Sequence, residues 1–446
     1  MRKHLANASY GLLDYISYPL GMLLVAPVIL RHLGVAEFGL WMVSTSVVSA
    51  GGIIASGIGD AGIQHIAKLN GTRQIQRTIH SVRSLFALNL MLGCAVSVVV
   101  WCAAPSAGRH LAALHLVSEK ECVACLRIAS FQILLRSVES LSVSVQRALQ
   151  EYGGTVRISA TMRALALVVA ALIAIAGKGT QNIMLATSIV LMAGAALQFR
   201  SLQRLLGHRD LWPRFYGTEA SALVSNGVFV WAQTAGSVIF RQLDRILLGV
   251  VLGVSAVTPY ALCIQIAEPL FGLTASSMSF FFPYLAGRTG NISMLSLRRV
   301  IQKAFLCNFV LVLCGVALLL LFGMRFLHVW AGVAVARSAA SILPLIVISS
   351  ALSGLSVTGT YAAQALGLFR TAAYISLGSR VGLLLVMLYL LHHAGVQGLA
   401  RARVWYGLAA LLVYVPLVRH LRIGESDQNA TMRGGLIAEP QGGARL

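Results

Sequence analysis

The sequence predicts an all-α polytopic membrane protein with about twelve transmembrane helices. Three observations predict it. Hydrophobic residues make up 57% of the 446 and charged ones only 11%, whereas a soluble domain carries about 25% charged residues. So little charge cannot coat a 47.5 kDa globule, and a mean hydropathy of +0.80 makes lipid the solvent for most of the chain. The apolar residues also fall in continuous runs, each close to the ~20 residues that cross a bilayer as a helix. Continuous runs, rather than alternating ones, exclude a strand barrel.

The runs follow in order. The first, 12–30, opens behind Arg2 and Lys3 and is too long for a cleaved signal peptide. The second, 38–58, follows a short turn at Leu33-Gly34-Val35, and the third, 84–104, follows a basic loop with Lys68, Arg73, Arg77 and Arg83. The fourth, 123–145, carries charge in its middle. The fifth and sixth, 158–176 and 183–199, are bounded by Arg147, Arg157, Arg200 and Arg204. The second set is 220–239, 257–284, 304–322, 340–361, 372–391 and 399–418. The stretch 241–253 is open to three readings: a loop, a lengthened seventh helix or a short re-entrant piece.

An ungapped shift of 219 residues pairs Leu33-Gly34-Val35 with Leu252-Gly253-Val254, Phe86 with Phe305 and Asn89 with Asn308. The pairs sit at equivalent places in the topology, which makes the chain a parallel repeat of six spans. Residues 1–210 then form one six-helix bundle, 211–422 a second, and 423–446 a disordered cytoplasmic tail. Such repeats place the substrate site in a central cavity between the halves, near the bilayer midplane.

The formal net charge is +21, from 35 Lys and Arg against 14 Asp and Glu. In a soluble protein that excess points to nucleic acid. Here it sorts by loop. If the N-terminus is cytoplasmic, the inner loops and the tail hold most of the Lys and Arg, the bias that sets orientation. Both termini are therefore expected in the cytoplasm, and no nucleic-acid partner is expected.

Several motifs carry a family resemblance. Leu33-Gly34-Val35-Ala36-Glu37-Phe38-Gly39-Leu40-Trp41 resembles the start of bacterial polysaccharide flippases. Gly57-Ile58-Gly59-Asp60-Ala61-Gly62 resembles that family's turn after the second helix. Leu243-Asp244-Arg245-Ile246-Leu247-Leu248-Gly249, with Leu252-Gly253-Val254, resembles its central signature. Val329-Trp330-Ala331-Gly332 and Ala394-Gly395-Val396-Gln397-Gly398-Leu399-Ala400 resemble two further turns. The family is the Wzx-type branch of the multidrug/oligosaccharidyl-lipid/polysaccharide exporter superfamily, and the resemblance covers about residues 5 to 420. It implies two six-helix bundles around a cavity that opens alternately to each side of a bacterial inner membrane. The implied cargo is a lipid-linked oligosaccharide, typically on undecaprenyl pyrophosphate, moved to the periplasmic leaflet for exopolysaccharide, capsule or O-antigen assembly. A glycan polymerase and chain-length machinery are the implied partners, beside membrane lipids.

Ionisable groups inside spans are the candidate site, because each is costly there. Arg136 and Glu139 lie three residues apart in the fourth span, with Gln132 one turn earlier. Asp14 lies in the inner part of the first span. Gln265 and Glu268 share a face of the eighth, with Pro269 following, and Arg380 lies in the eleventh. Arg241, Asp244 and Arg245 cluster at the outer end of the seventh as gate candidates. Arginines in a wet cavity offer bidentate bonds to a pyrophosphate. Carboxylates would neutralise them when the site is empty, and one could take a coupling proton or a cation such as sodium. Tyr18 and Trp231 suit sugar faces. Each has a plainer reading: Arg136 with Glu139 as an internal ion pair, Asp14 as interfacial, Arg380 as snorkelling inward, and the gate trio as a solvated loop.

Other classes fit less well. A multidrug-type antiporter shares the fold, but arginines within spans favour an anionic substrate. A lipid II flippase often has two further helices. A membrane glycan polymerase usually has a large outer loop, and the longest here is 105–122. An acyltransferase needs a reactive His within a span. No GxxxxGK[ST] occurs, Gly57-x-Gly59-x-x-Gly62 lacks a βαβ context, and Cys122-x-x-Cys125 has no second pair. No cofactor or metal is expected, and no enzyme.

Overall fold

The computed structural model describes residues 2–71, 74–112, 116–208, 210–278, 281–286 and 294–422. Side chains within these are described except at 2–18, 57–61, 63–64, 70–71, 222, 225–230, 232–241, 282–283, 286, 369–370 and 372–373. The tail lies outside the described residues. Among those described there is no strand. That is what lipid demands, since a helix satisfies its backbone donors and acceptors internally.

Among the described residues, all twelve expected spans are helical. The first two form α1 (Arg2–Gly71), which bends at Gly34 with φ 79° and ψ 176°. Spans three to six are α2 (Ile75–Leu111), α3 (Glu119–Ala148), α4 (Tyr152–Ile175) and α5 (Thr180–Leu206). The seventh is α6 (Gly217–Leu252), and the eighth is α7 (Val254–Met278) with a short α8 (Phe281–Ala286). Then come α9 (Met294–Ala331), the short α10 (Val333–Ala339) and α11 (Leu343–Ala365). The last two spans lie in α12 (Phe369–Ala410), which bends at Gly395 with φ 57° and continues through a 3-10 turn, Leu411–Val413. The 241–253 stretch resolves as a lengthened seventh helix. At about 54 Å, α6 outreaches a hydrocarbon core of ~30 Å.

The repeat is visible in the backbone. Gly34 and Gly253, the pair related by 219 residues, share one conformation, φ 79° and ψ 176° against φ 82° and ψ 166°. A β-carbon is disfavoured there, so glycine is required. Gly332 (φ 89°) and Gly395 fall in two further motifs. The Gly57–Gly62 motif behaves differently. A turn is expected there, but α1 stays helical through Gly71. Gly62 is instead a packing glycine, since a β-carbon on it would press on Leu85.

Packing groups the chain into two compact units. The first is Met1–Gln265 with Leu327–Ala339, the second Ile266–Phe326 with Ala340–Leu446. Lipid tails are as apolar as leucine, so burial alone does not drive helices together; close packing and hydrogen bonds do. In the first unit, Ile66, Val82, Leu85, Leu141, Val145, Leu202 and Leu223 form a core of α1, α2, α3, α5 and α6. A buried amide pair ties three helices: Gln146 donates to Gln198 Oε1 at 2.9 Å, and Gln198 donates to the Thr155 carbonyl and Ser159, each at 2.9 Å. In the second unit, Phe281, Leu297, Ile301, Ala362, Leu417 and Leu421 pack together. The Tyr414 hydroxyl donates to the Leu355 carbonyl at 2.7 Å and accepts from the Gly359 amide at 3.1 Å.

Candidate functional site

The middle of α3 is where charge meets close helix packing. A β-carbon on Gly51 would strike Ile133, and one on Gly52 would press on the Arg136 stem, so these two glycines let α1 lie against α3. From that contact Arg136 Nη1 donates to Glu139 Oε2 at 2.8 Å. The Glu139 side chain is 6% exposed, while that of Arg136 is 37% exposed. The pair thus has a buried anchor and a reachable cation. Two residues along α1, the Ile54 carbonyl accepts from Trp231 Nε1 of α6 at 2.7 Å. Arg136 and Trp231 therefore both pack on the 52–54 stretch.

Gln132 takes another direction. Its amide is buried and donates to the Met184 carbonyl and Ser188 Oγ, each at 2.9 Å, so it fastens α3 to α5. On α7, Gln265 is half-buried, and both its amide atoms are buried with no hydrogen-bond partner among the described residues. Glu268, one turn on, is exposed. It is the one acid between Gln265 and the tail. Arg380 is half-buried on α12. Asp14 and Arg241 lie outside the described residues as side chains.

Asp244 is fully buried rather than in a solvated loop. Its carboxylate accepts from the Tyr260 hydroxyl at 2.8 Å and from the Arg245 amide at 2.8 Å, tying α6 to α7. Arg245 is half-buried, with a buried Nε that finds no partner among the described residues. Thr258 ties α7 to α1 as well, donating to the Val35 carbonyl at 2.7 Å. A β-carbon on Gly39 would run into the Val254 carbonyl. The two repeat-related turns therefore touch, and glycine is needed for the contact.

Three charged ties escaped the sequence reading. Glu219, in the first turn of α6, accepts from His65 at 2.9 Å, Arg77 at 2.8 Å and Ser81 at 2.8 Å. Burial pushes its carboxyl up, but these three bonds outweigh it and hold Glu219 below the usual carboxylate range. Arg83, buried, donates to the Asp210 carboxylate at 2.9 Å, the Asp210 carbonyl at 2.6 Å and the Tyr216 hydroxyl at 3.1 Å. At the other end of the unit, Glu37 accepts from the Thr180 amide at 2.9 Å, capping the start of α5. Burial, and then the nearby Glu37, raise the carboxyl of Glu121. The only sequence signal for these ties was scarcity: with 14 acids in 446 residues, each has a role to find.

Residues 6–287 match the family described as polysaccharide biosynthesis protein. The chain belongs to this family. Members of the exporter superfamily share its fold. An inward-facing multidrug resistance MATE family transporter is similar with a TM-score of 0.72 at 13% identity, covering 93% of this chain and 99% of that one. The lipid II flippase MurJ, in an inward closed conformation, is similar with a TM-score of 0.70 at 13% identity, covering 98% and 94%. A eukaryotic MATE transporter reaches 0.57, also at 13%. No curated protein matches the chain. This polysaccharide biosynthesis family member thus has the multi-span helical fold of the MATE and MurJ transporters. Among the described residues, no group of His, Cys, Asp or Glu could hold a metal.

Proposed function

We propose that this chain is a flippase for a lipid-linked oligosaccharide repeat unit, moving it from the cytoplasmic to the periplasmic leaflet of a bacterial inner membrane. The observation that carries the reading is Arg136, a reachable mid-span cation held by a buried Glu139 in a polysaccharide biosynthesis family member. The cargo is anionic at its pyrophosphate and polar at its sugars. Arg136 offers the phosphate charge-assisted bonds where a bare anion is costly. Glu139 neutralises Arg136 when the site is empty and keeps it aimed.

In this account both termini are cytoplasmic, as the loop charges direct. Asp14, Gln265, Glu268 and Arg380 are the further candidates for binding the cargo, and transport proceeds by alternating access. Gln132 holds the α3 face in register from behind. A carboxylate, Glu268 first among them, takes the coupling proton or sodium ion. The Asp244–Tyr260 bond, with Arg245 and Arg241, sets the outer gate. The carrier is undecaprenyl pyrophosphate, and the product passes to a glycan polymerase and chain-length machinery.

The test is made in cells. Arg136→Ala or Glu268→Ala is expected to abolish surface glycan while the protein stays in the membrane. Full glycan export by both variants overturns the site assignment. Intact glycan with lost drug resistance in a deletion strain selects the multidrug-antiporter reading instead.

A further inference from the structure

A groove of about 1420 Å³ runs between α2, α3 and α5 of the first unit. It exceeds the ~300–1,000 Å³ of pockets for drug-sized molecules. Its floor is apolar and faces outward: Phe131, Leu185, Ile189 and Met192 line it and are exposed. One end of it is cationic. Lys120, Arg127 and Phe131 follow at steps of seven and four residues on α3, so they share one helix face. The face runs from charge near the helix start to apolar surface about 16 Å further along.

Arg127 is the unusual member. It is exposed on a surface otherwise suited to lipid, with its guanidinium 4.9 Å from the Trp101 ring centroid. No described carboxylate forms an ion pair with it. Glu119 is the one acid among the lining residues, against the two cations Lys120 and Arg127. A cation within a span is retained where something pairs with it. Tryptophan marks the headgroup level of a bilayer, and a guanidinium there offers charge-assisted bonds to a phosphate.

We propose that this groove seats an anionic phospholipid, with its phosphate on Arg127 and Lys120 and its acyl chains along Phe131, Leu185 and Ile189. The charge pattern selects this occupant. Two cations at one end match a phosphate, and the apolar floor continues into the lipid-facing surface. The inference needs only that the chain spans a membrane, and stands or falls apart from the glycan reading.

Trp101 supplies the probe. The full-length protein is reconstituted in phosphatidylcholine vesicles containing brominated phosphatidylglycerol or, separately, brominated phosphatidylcholine. The Trp101 signal is taken as the difference from Trp101→Phe. The account expects quenching by the anionic lipid to saturate at a mole fraction at least about fivefold lower than for the zwitterionic one. Arg127→Gln combined with Lys120→Gln should erase that preference, and Arg127→Lys should keep most of it. Equal quenching by the two lipids would overturn the proposal, as would a preference unchanged in the double variant. Shielding of Trp101 from both lipids would also overturn it, since a second protein copy would then fill the groove.

Discussion

In the first unit, Met1–Gln265 with Leu327–Ala339, lie all four ion pairs that join described residues: His65–Glu219, Arg77–Glu219, Arg83–Asp210 and Arg136–Glu139. In the second unit, neutral ties stand out among the described residues, with Tyr414 bonded to α11 and Asn308 donating to the Gly354 carbonyl at 3.0 Å and Thr358 at 3.1 Å. Among the described residues, only the first unit is laced with charge pairs. The difference follows from the acid inventory. Between Gln265 and the tail the sequence offers only Glu268, so the second unit has almost no carboxylate to pair. Glu268, the one acid of that unit ahead of the tail, is exposed. In the first unit most acids are committed to structure, and the Arg136–Glu139 pair stands out because its cation remains reachable.

The contrast can be broken or sharpened by substitution. The largest effect is expected for Arg83→Ala, which leaves the Asp210 carbonyl and carboxylate without their buried partner. Losing this buried arginine and its bonds costs about 2 kcal/mol, discounted because Asp210 is half-exposed, read as a lower thermal midpoint in detergent. Glu219→Gln should cost about 1.5 kcal/mol, discounted because Arg77 is largely exposed. Its pH dependence has a definite sign. The folded carboxyl sits below its unfolded value, so its contribution is full above the usual carboxylate range and is lost as pH falls through the folded value. Glu219→Gln should flatten that acid-side loss in a pH scan of the midpoint.

The neutral ties should be weaker and insensitive to pH and salt. Tyr414→Phe removes two hydrogen bonds and should cost about 1 kcal/mol. The smallest effect comes from the repeat-related asparagines. Both are buried, but Asn89 has no partner for its amide among the described residues, whereas Asn308 donates twice. Asn89→Leu should change the midpoint little, while Asn308→Leu should lose about 1 kcal/mol. Equal losses at the two positions would show that the asparagines do the same work in both halves.

The backbone of this protein was largely legible in its sequence. Runs of ~20 apolar residues leave a chain in lipid only one solution, and positive φ at Gly34, Gly253, Gly332 and Gly395 demands glycine where the motifs place it. The motif at Gly57–Gly62 misled, because glycine also serves close packing, and composition does not separate the two uses. Side-chain roles were less legible, since they depend on which helix a face meets. Gln132 shares a stripe with Arg136 by spacing, yet it bonds to α5 while Arg136 lies against α1. Arg77 and Arg83 read as topology signals, and each also holds a carboxylate more than a hundred residues along the chain, Glu219 on α6 and Asp210 in the connection before it. Glu37 sits in a family motif and turns out to cap α5.

The central claim is that Arg136 meets the anionic cargo and is not only an internal tie. Replacing both partners, Arg136→Gln with Glu139→Gln, keeps a neutral hydrogen-bonded pair of similar shape and leaves no buried charge uncompensated. Surface glycan is measured alongside the amount and thermal midpoint of the membrane-inserted protein. The account predicts a normally folded protein with export reduced by at least about tenfold, and partial export by Arg136→Lys. Full export by the double variant at a normal midpoint would contradict it, and would leave the pair as packing alone.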